Sequence, residues 1–268
     1  MTFLRVLAAE FRKVLTTRIW WVLALVLFGY VGFNTAAIGF AFTLAPDGGG
    51  MPPFAPEMLT ALVYSLATST GYVFPVIFGA LMVTAEIRYR TLATAFLATP
   101  QRGLVLAAKA VVGLVVGAVF GVVGAAASVG AGAPLLEVAG QSSLLGEGET
   151  WALIGRIVLA MALWGVVGVG VGVLVPSQIG SVVGIIAFTL LIEPILRTAA
   201  AFLEPLAGIG KFLPGAAGDA LVGASIFSVV PGAGADVLEW WQGGLVLAAY
   251  AVVFGAIGAV TTWRRDVS

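Results

Sequence analysis

Five uncharged runs, one of them of double length, constrain this chain more than any motif in it. Nothing charged lies between Arg18 and Asp47, between Glu57 and Glu86, between Lys109 and Glu137, or between Glu239 and Arg264. The run from Arg156 to Glu193 holds 36 uncharged residues, too many for one membrane helix and enough for two. Pro176-Ser177-Gln178 divides it, because proline restricts the residue before it and cannot continue a helix. A bilayer core about 30 Å thick takes about 20 residues at 1.5 Å rise. Spans are therefore predicted near 19–41, 59–84, 104–128, 153–175, 179–196 and 243–262. Composition agrees: 60% of the 268 residues are hydrophobic and only 10% are charged, against about 25% charged in a soluble domain. A water-soluble fold of this size could not hide so much apolar surface. The expected fold class is all-α, a polytopic membrane protein of one domain over residues 1–268.

An even number of spans puts both ends on one side, and the cations say which. With the amino terminus inside, the inner segments carry Arg5, Arg12, Lys13, Arg18, Arg88, Arg90, Arg102, Lys109, Arg264 and Arg265. The outer ones carry only Arg156, Arg197 and Lys211. Lys/Arg bias in short loops sets orientation, so both termini are expected in the cytoplasm. Tryptophan agrees: Trp20, Trp21 and Trp263 fall at the predicted inner edge and Trp151, Trp240 and Trp241 at the outer one, where indole rings favour the headgroup level. The first run is longer than a signal-peptide core and follows eighteen residues, so a retained span is expected.

Residues 1–18 read as a basic amphipathic helix on the inner membrane surface. Phe3, Leu4, Leu7, Phe11, Val14 and Leu15 share one sector, with Arg5, Arg12, Lys13 and Thr16 facing away. Residues 42–58 and 129–152 read as outer loops, the second closed by Glu147 and Glu149, two carboxylates expected to be solvated. Residues 197–242 hold apolar pieces too short to cross, broken by Pro205, Pro214 and Pro231; they read as short outer or re-entrant helices, with an ordinary loop as the alternative. Gly113, Gly117 and Gly121, and Gly168 and Gly172, repeat every four residues, the spacing that lets helix backbones approach closely.

Much chemistry is excluded. Without Cys or His there is no disulfide, thiolate metal site, imidazole base or imidazole-bound zinc. Thirteen basic and thirteen acidic residues give no net charge, which argues against nucleic acid as a partner. Gly208-Ile209-Gly210-Lys211-Phe212 is no phosphate loop: Pro205 stands at the earlier Gly position, and Phe212 where Ser/Thr would hold Mg²⁺. No enzyme activity and no metal or cofactor of its own are therefore expected. Glu193 is the one carboxylate inside a predicted span, about 22 Å beyond Gln178 at helical rise; Arg197, one turn on, is placed to pair with it. The two are a candidate pathway or interfacial pair.

The most informative segment joins spans two and three. Its charged ends bracket a short apolar helix-former, Leu92–Ala98, which Thr99-Pro100 stops. Such a crosswise helix suits the groove of a soluble partner; a basic loop held by anionic lipid is the alternative. The pattern acidic-x-Arg-x-x-Thr at Glu86, Arg88 and Thr91, ending in Thr-Pro-x-Arg at Thr99, Pro100 and Arg102, resembles the coupling segment of type-2 ABC exporter permeases. The basic helix 1–18, six spans, short helices before the last span and Arg264-Arg265-Asp266 after it extend the resemblance over the whole chain. The chain departs from the family at Arg90, where many members carry Gly, and at Pro176-Ser177-Gln178, where many carry a basic residue. Abundant Ala, Gly and Val with few Lys resembles actinobacterial members.

The resemblance implies a permease subunit in a bacterial cytoplasmic membrane, exporting a hydrophobic or amphipathic substrate such as a drug, lipid or peptide. It implies two partners, a second permease subunit in a homodimer or heterodimer and a separate ATPase subunit that binds the ATP and Mg²⁺. Glu86, Arg88, Arg90, Thr91, Leu92, Phe96, Pro100 and Arg102 would form the contact with that ATPase. Two other readings compete, a self-sufficient secondary transporter or channel and a non-transporting scaffold or immunity protein.

Overall fold

The computed structural model describes residues 2–43, 55–91, 101–203, 208–229 and 237–262. Among these there is no β-strand, and six helical stretches are long and apolar enough to cross a membrane. The chain is an all-α, multi-pass membrane protein. Helix α1 (Phe3–Thr16) precedes span 1, α2 (Ile19–Thr43). Span 2 is two helices, α3 (Pro56–Ser69) and α4 (Val73–Arg88). Spans 3 and 4 are α5 (Arg102–Val138) and α6 (Gly148–Leu174). Span 5 comprises α7 (Gln178–Ala187), a π-helical turn Phe188–Ile192, and α8 (Glu193–Phe202). The short α9 (Pro214–Val222) and a 3₁₀ turn (Ile226–Val229) precede span 6, α10 (Trp240–Thr261).

Two expectations need correction. The predicted outer loop 129–152 is mostly helix, since α5 continues to Val138 through Pro134 and α6 starts at Gly148. The Ala/Gly/Val-rich sequence after 128 favours continuation, and α5 stops only where Gly140 takes φ +74°. There the Gln141 N–H donates to the Leu136 carbonyl at 2.8 Å, the bond of a Schellman cap. Helix α1 forms as predicted, but its faces differ: Val6, Glu10 and Val14, one turn apart, are buried, whereas Leu4 and Leu15 are exposed.

Span 2 breaks for a local reason. The Pro75 ring has no N–H and collides with the carbonyl four residues back, at Gly71, so the helix resets at Thr70-Gly71-Tyr72. Span 4 is the hub, packing along α5, α4 and α10. Its contacts use the glycine repeats. A Cβ at Gly117 would stand 2.5 Å from the Met161 carbonyl oxygen, and one at Gly121 2.7 Å from the Val158 Cα. At Gly172 a Cβ would stand 2.7 Å from the Ala80 oxygen on α4. Lipid supplies no hydrophobic drive between helices, so such backbone approach takes its place.

This contact predicts that Gly165→Val, whose new Cβ would collide with the Gly113 carbonyl, destabilises the bundle. The expected loss is about 1–3 kcal/mol, the usual cost of overpacking. Gly155→Ala, which meets nothing within 4 Å, should leave the thermal midpoint in detergent unchanged or slightly raised.

Candidate functional site

Two buried polar clusters stand out, one at each end of α4. The first lies where α1, α4 and α5 meet. Lys109 is fully buried on α5, and its ammonium donates to Glu10 Oε2 at 2.7 Å and lies 2.8 Å from Glu86 Oε1. Lys13, on α1, donates to Glu86 Oε1 at 2.8 Å and also reaches Glu10 Oε1. Two acids and two bases thus form a neutral ring that clips α1 to spans 2 and 3. Burial opposes the charge on Lys13, yet hydrogen bonds from its ammonium to Glu10 and Glu86 hold it above its ordinary pKa. Unpaired, the buried Lys109 would be costly; paired and hydrogen-bonded, it fixes the register of α1, and the exposed Lys13 closes the ring from outside.

Glu86 also begins the segment that joins spans 2 and 3. Helix α4 ends at Arg88 in another Schellman cap: the Thr91 N–H donates to the Glu86 carbonyl at 3.0 Å and the Arg90 N–H to that of Ile87 at 3.2 Å. The capping position is Arg90, held at φ +56°. Glycine is the residue that adopts this conformation without strain, which gives the departure at Arg90 a physical meaning. Arg88 donates to the Gln178 side chain at 3.3 Å, joining this connection to the turn between spans 4 and 5. Arg102 is the first residue of α5. Of the predicted contact residues, Glu86, Arg88, Arg90, Thr91 and Arg102 are thus gathered at one end of the bundle. Leu92, Phe96 and Pro100 lie outside the described residues, as do Trp263, Arg264, Arg265 and Asp266.

The second cluster lies where spans 2 and 5 are irregular and α9 enters between them. Pro214 opens α9, whose Ala217, Leu221 and Val222 are buried against α10, α6 and α3. The short helix expected in this segment is present as α9, packed against the spans. Glu193, only 1% exposed, accepts a hydrogen bond from the Gly215 N–H in the first turn of α9 and another from the Tyr72 hydroxyl at 3.2 Å. The predicted Glu193–Arg197 pair is not formed. Arg197 donates to Asp219 Oδ2 at 2.7 Å, and its guanidinium stacks 3.8 Å from the Phe227 ring centre. Asp219 also accepts from Ser225 and, at 3.1 Å, from Ser69. The reason is α9: the Gly215 N–H in its first turn solvates Glu193, and its own acid, Asp219, takes Arg197.

A cleft of about 160 Å³ opens beside these groups, lined by Tyr30, Ser69, Tyr72, Leu190, Glu193 and Arg197 among others. Tyr30 and Leu190 at its rim are exposed, so it faces the side of the bundle between α2 and span 5. Among the described residues no group of three or more acidic side chains is arranged to hold a metal ion, and Glu147 and Glu149 are exposed.

Sequence reasoning missed Lys109, Glu10, Tyr72 and Asp219 as site residues. Two left a signal: Glu10 is the one acid in the basic first helix, and Lys109 sits one residue before a long apolar run. No family model matches the chain, and no curated protein matches it.

The first cluster yields two predictions. Lys109→Met leaves two buried carboxylates short of a base and should cost on the order of 3–5 kcal/mol, read as a lowered thermal midpoint in detergent; pairing it with Glu10→Leu should recover part of the loss. A raised folded-state pKa means that Lys13 contributes its full stabilisation below the ordinary lysine range and loses it only as pH climbs through the raised value. Lys13→Met should accordingly shift the midpoint equally at pH 6 and pH 9. Arg90→Gly should stabilise the protein by about 1 kcal/mol through relief of the left-handed backbone, in the same melting assay.

Proposed function

We propose that the chain is the membrane permease subunit of an ATP-binding-cassette exporter, dimeric and driven by separate ATPase subunits. The observation that carries this reading is the neutral ring of Glu10, Lys13, Glu86 and Lys109. It ties α4, α5 and α1 together next to the connection whose sequence resembles a coupling segment. A push on that connection reaches three helices at once. The Lys/Arg bias supports placing this end in the cytosol, where a soluble ATPase could reach it. No nucleotide-binding motif accompanies the spans, so ATP and Mg²⁺ belong on the partner. Export, and a hydrophobic or amphipathic cargo, follow from the resemblance.

A specific observation favours a second reading, a self-sufficient secondary transporter. Spans 2 and 5, the middle spans of the two three-span halves, are both irregular, and both border the cluster of Glu193 and Asp219. Broken helices around ionisable groups are how many secondary transporters build their sites.

The two part on energy source. In proteoliposomes with a candidate ATPase, the permease reading expects co-purification and ATP hydrolysis stimulated by the chain. Leu92→Asp with Phe96→Asp should abolish transport while leaving expression intact. Transport driven by an ion gradient without any ATPase would overturn the reading in favour of the second.

A further inference from the structure

The two clusters differ in one respect that bears on ligand chemistry: the first pairs two acids with two bases, and the second sets two acids against one base. Around the cleft, Glu193 and Asp219 share a single guanidinium, Arg197, which is committed to Asp219 at 2.7 Å. Among the described residues the two hydrogen-bond donors to Glu193, the Gly215 N–H and the Tyr72 hydroxyl, are neutral. A carboxylate this far from water is stabilised most by a positive charge. The cleft beside it has room for one: about 160 Å³ compares with the roughly 150 Å³ cavity that holds a single benzene. That volume takes a headgroup and excludes most of a drug-sized molecule. Its walls include the Tyr30 and Tyr72 rings, and aromatic faces attract alkylated ammonium ions. The exposed rim of Tyr30 and Leu190 leads sideways into what would be lipid. From Phe188 onward, span 5 makes only sparse backbone contact with the other described helices, so a chain attached to the headgroup has a way out.

We infer that this cleft binds the positively charged headgroup of an amphipathic amine, with Glu193 as its counter-charge and its apolar tail in the bilayer between α2 and span 5. The inference deepens the permease reading by naming its cargo class, and rests on that reading only for the word cargo. Two sources share this chemistry, a free cationic amphiphile and an aminophospholipid of the membrane.

The test uses the full chain in nanodiscs of phosphatidylglycerol, which carries no amine, with dodecyltrimethylammonium as probe. Saturable binding is measured above partition into empty discs, with no ATPase present. Wild type should bind saturably, and Glu193→Gln, whose one amide oxygen can still accept from the Gly215 N–H while its N–H₂ donates to the Tyr72 oxygen, should weaken binding at least tenfold. Leu190→Trp, which narrows the rim while leaving every charge in place, should weaken it similarly with an unchanged thermal midpoint. Dodecanol, the same tail without the charge, should not compete. Equal binding by wild type and Glu193→Gln, equal competition by dodecanol, or no saturable binding would each overturn the site. Discs containing phosphatidylethanolamine separate the sources: competition that depends on Glu193 assigns the headgroup to lipid, and undiminished probe binding assigns it to a free amphiphile. Because no ATPase enters the measurement, a bound probe alongside failed ATPase pairing rejects the permease reading and keeps the site. Successful pairing with no bound probe does the reverse.

Discussion

A charge inside this bundle has no water to turn to, and most of the polar architecture follows from that. Transferring an ionised group into a medium of low dielectric costs several kcal/mol unless a partner and hydrogen bonds go with it. At the α1 end the chain meets this condition with a closed ring, each lysine facing both carboxylates. At the other cluster it meets it by folding α9 inward, so that one carboxylate is solvated by a helix N-terminus and the other by Arg197. The segment before span 6 is thus more than a connection: it carries the groups that make Glu193 and Arg197 tolerable where they sit.

The way the helices hold together explains where the cleft lies. With lipid outside, packing depends on close backbone approach, and the glycines that permit it are concentrated on spans 3 and 4 and on the facing surfaces of spans 2 and 6. Span 5 takes little part, packing chiefly through α7 against α4. Beyond that contact its backbone widens into a π turn, and such turns recur where a helix is bent around a site. The resulting gap over Tyr72 is bridged by side-chain hydrogen bonds in place of backbone contact. A weakly packed element held by a few polar bonds is the kind that opens at low free-energy cost.

The spans were legible in the sequence because hydrocarbon thickness imposes one length on every crossing, and runs such as 157–192 can be read directly against it. The gathering of Glu86, Arg88, Arg90, Thr91 and Arg102 at one end was equally legible, since two adjacent spans bracket them. The charge pairing was not. Arg197 is four residues from Glu193 and twenty-two from Asp219, so local spacing favoured the wrong acid; only the return of α9 reverses the choice. Lys109 looked like a flank of span 3, because nothing in its neighbourhood shows that Glu10, on a separate helix, faces it. Residues 129–152 read as a loop, whereas α5 runs on to Val138 and stops at Gly140, whose left-handed backbone is a three-dimensional fact.

Helix α4 is what makes the two clusters one system. It is 16 residues long, about 24 Å at helical rise, and unbroken between Tyr72 at its start and Glu86 in its last turn. A helix of that length behaves as a rod, and its hinge is the Thr70-Gly71-Tyr72 reset. If the connection after Arg90 is pushed, as the permease reading has it, the ring at Glu86 resists relative motion of α1 and α5, and the displacement runs along α4 to Tyr72. Among the described residues the Tyr72 hydroxyl is one of two donors to Glu193. Moving it would change how well that carboxylate is solvated from within, and so, in the site inferred above, how strongly it would hold a cationic headgroup. Coupling between the ends therefore needs no chain of intermediaries: one rigid helix carries a charged anchor at one end and a hydrogen-bond donor at the other.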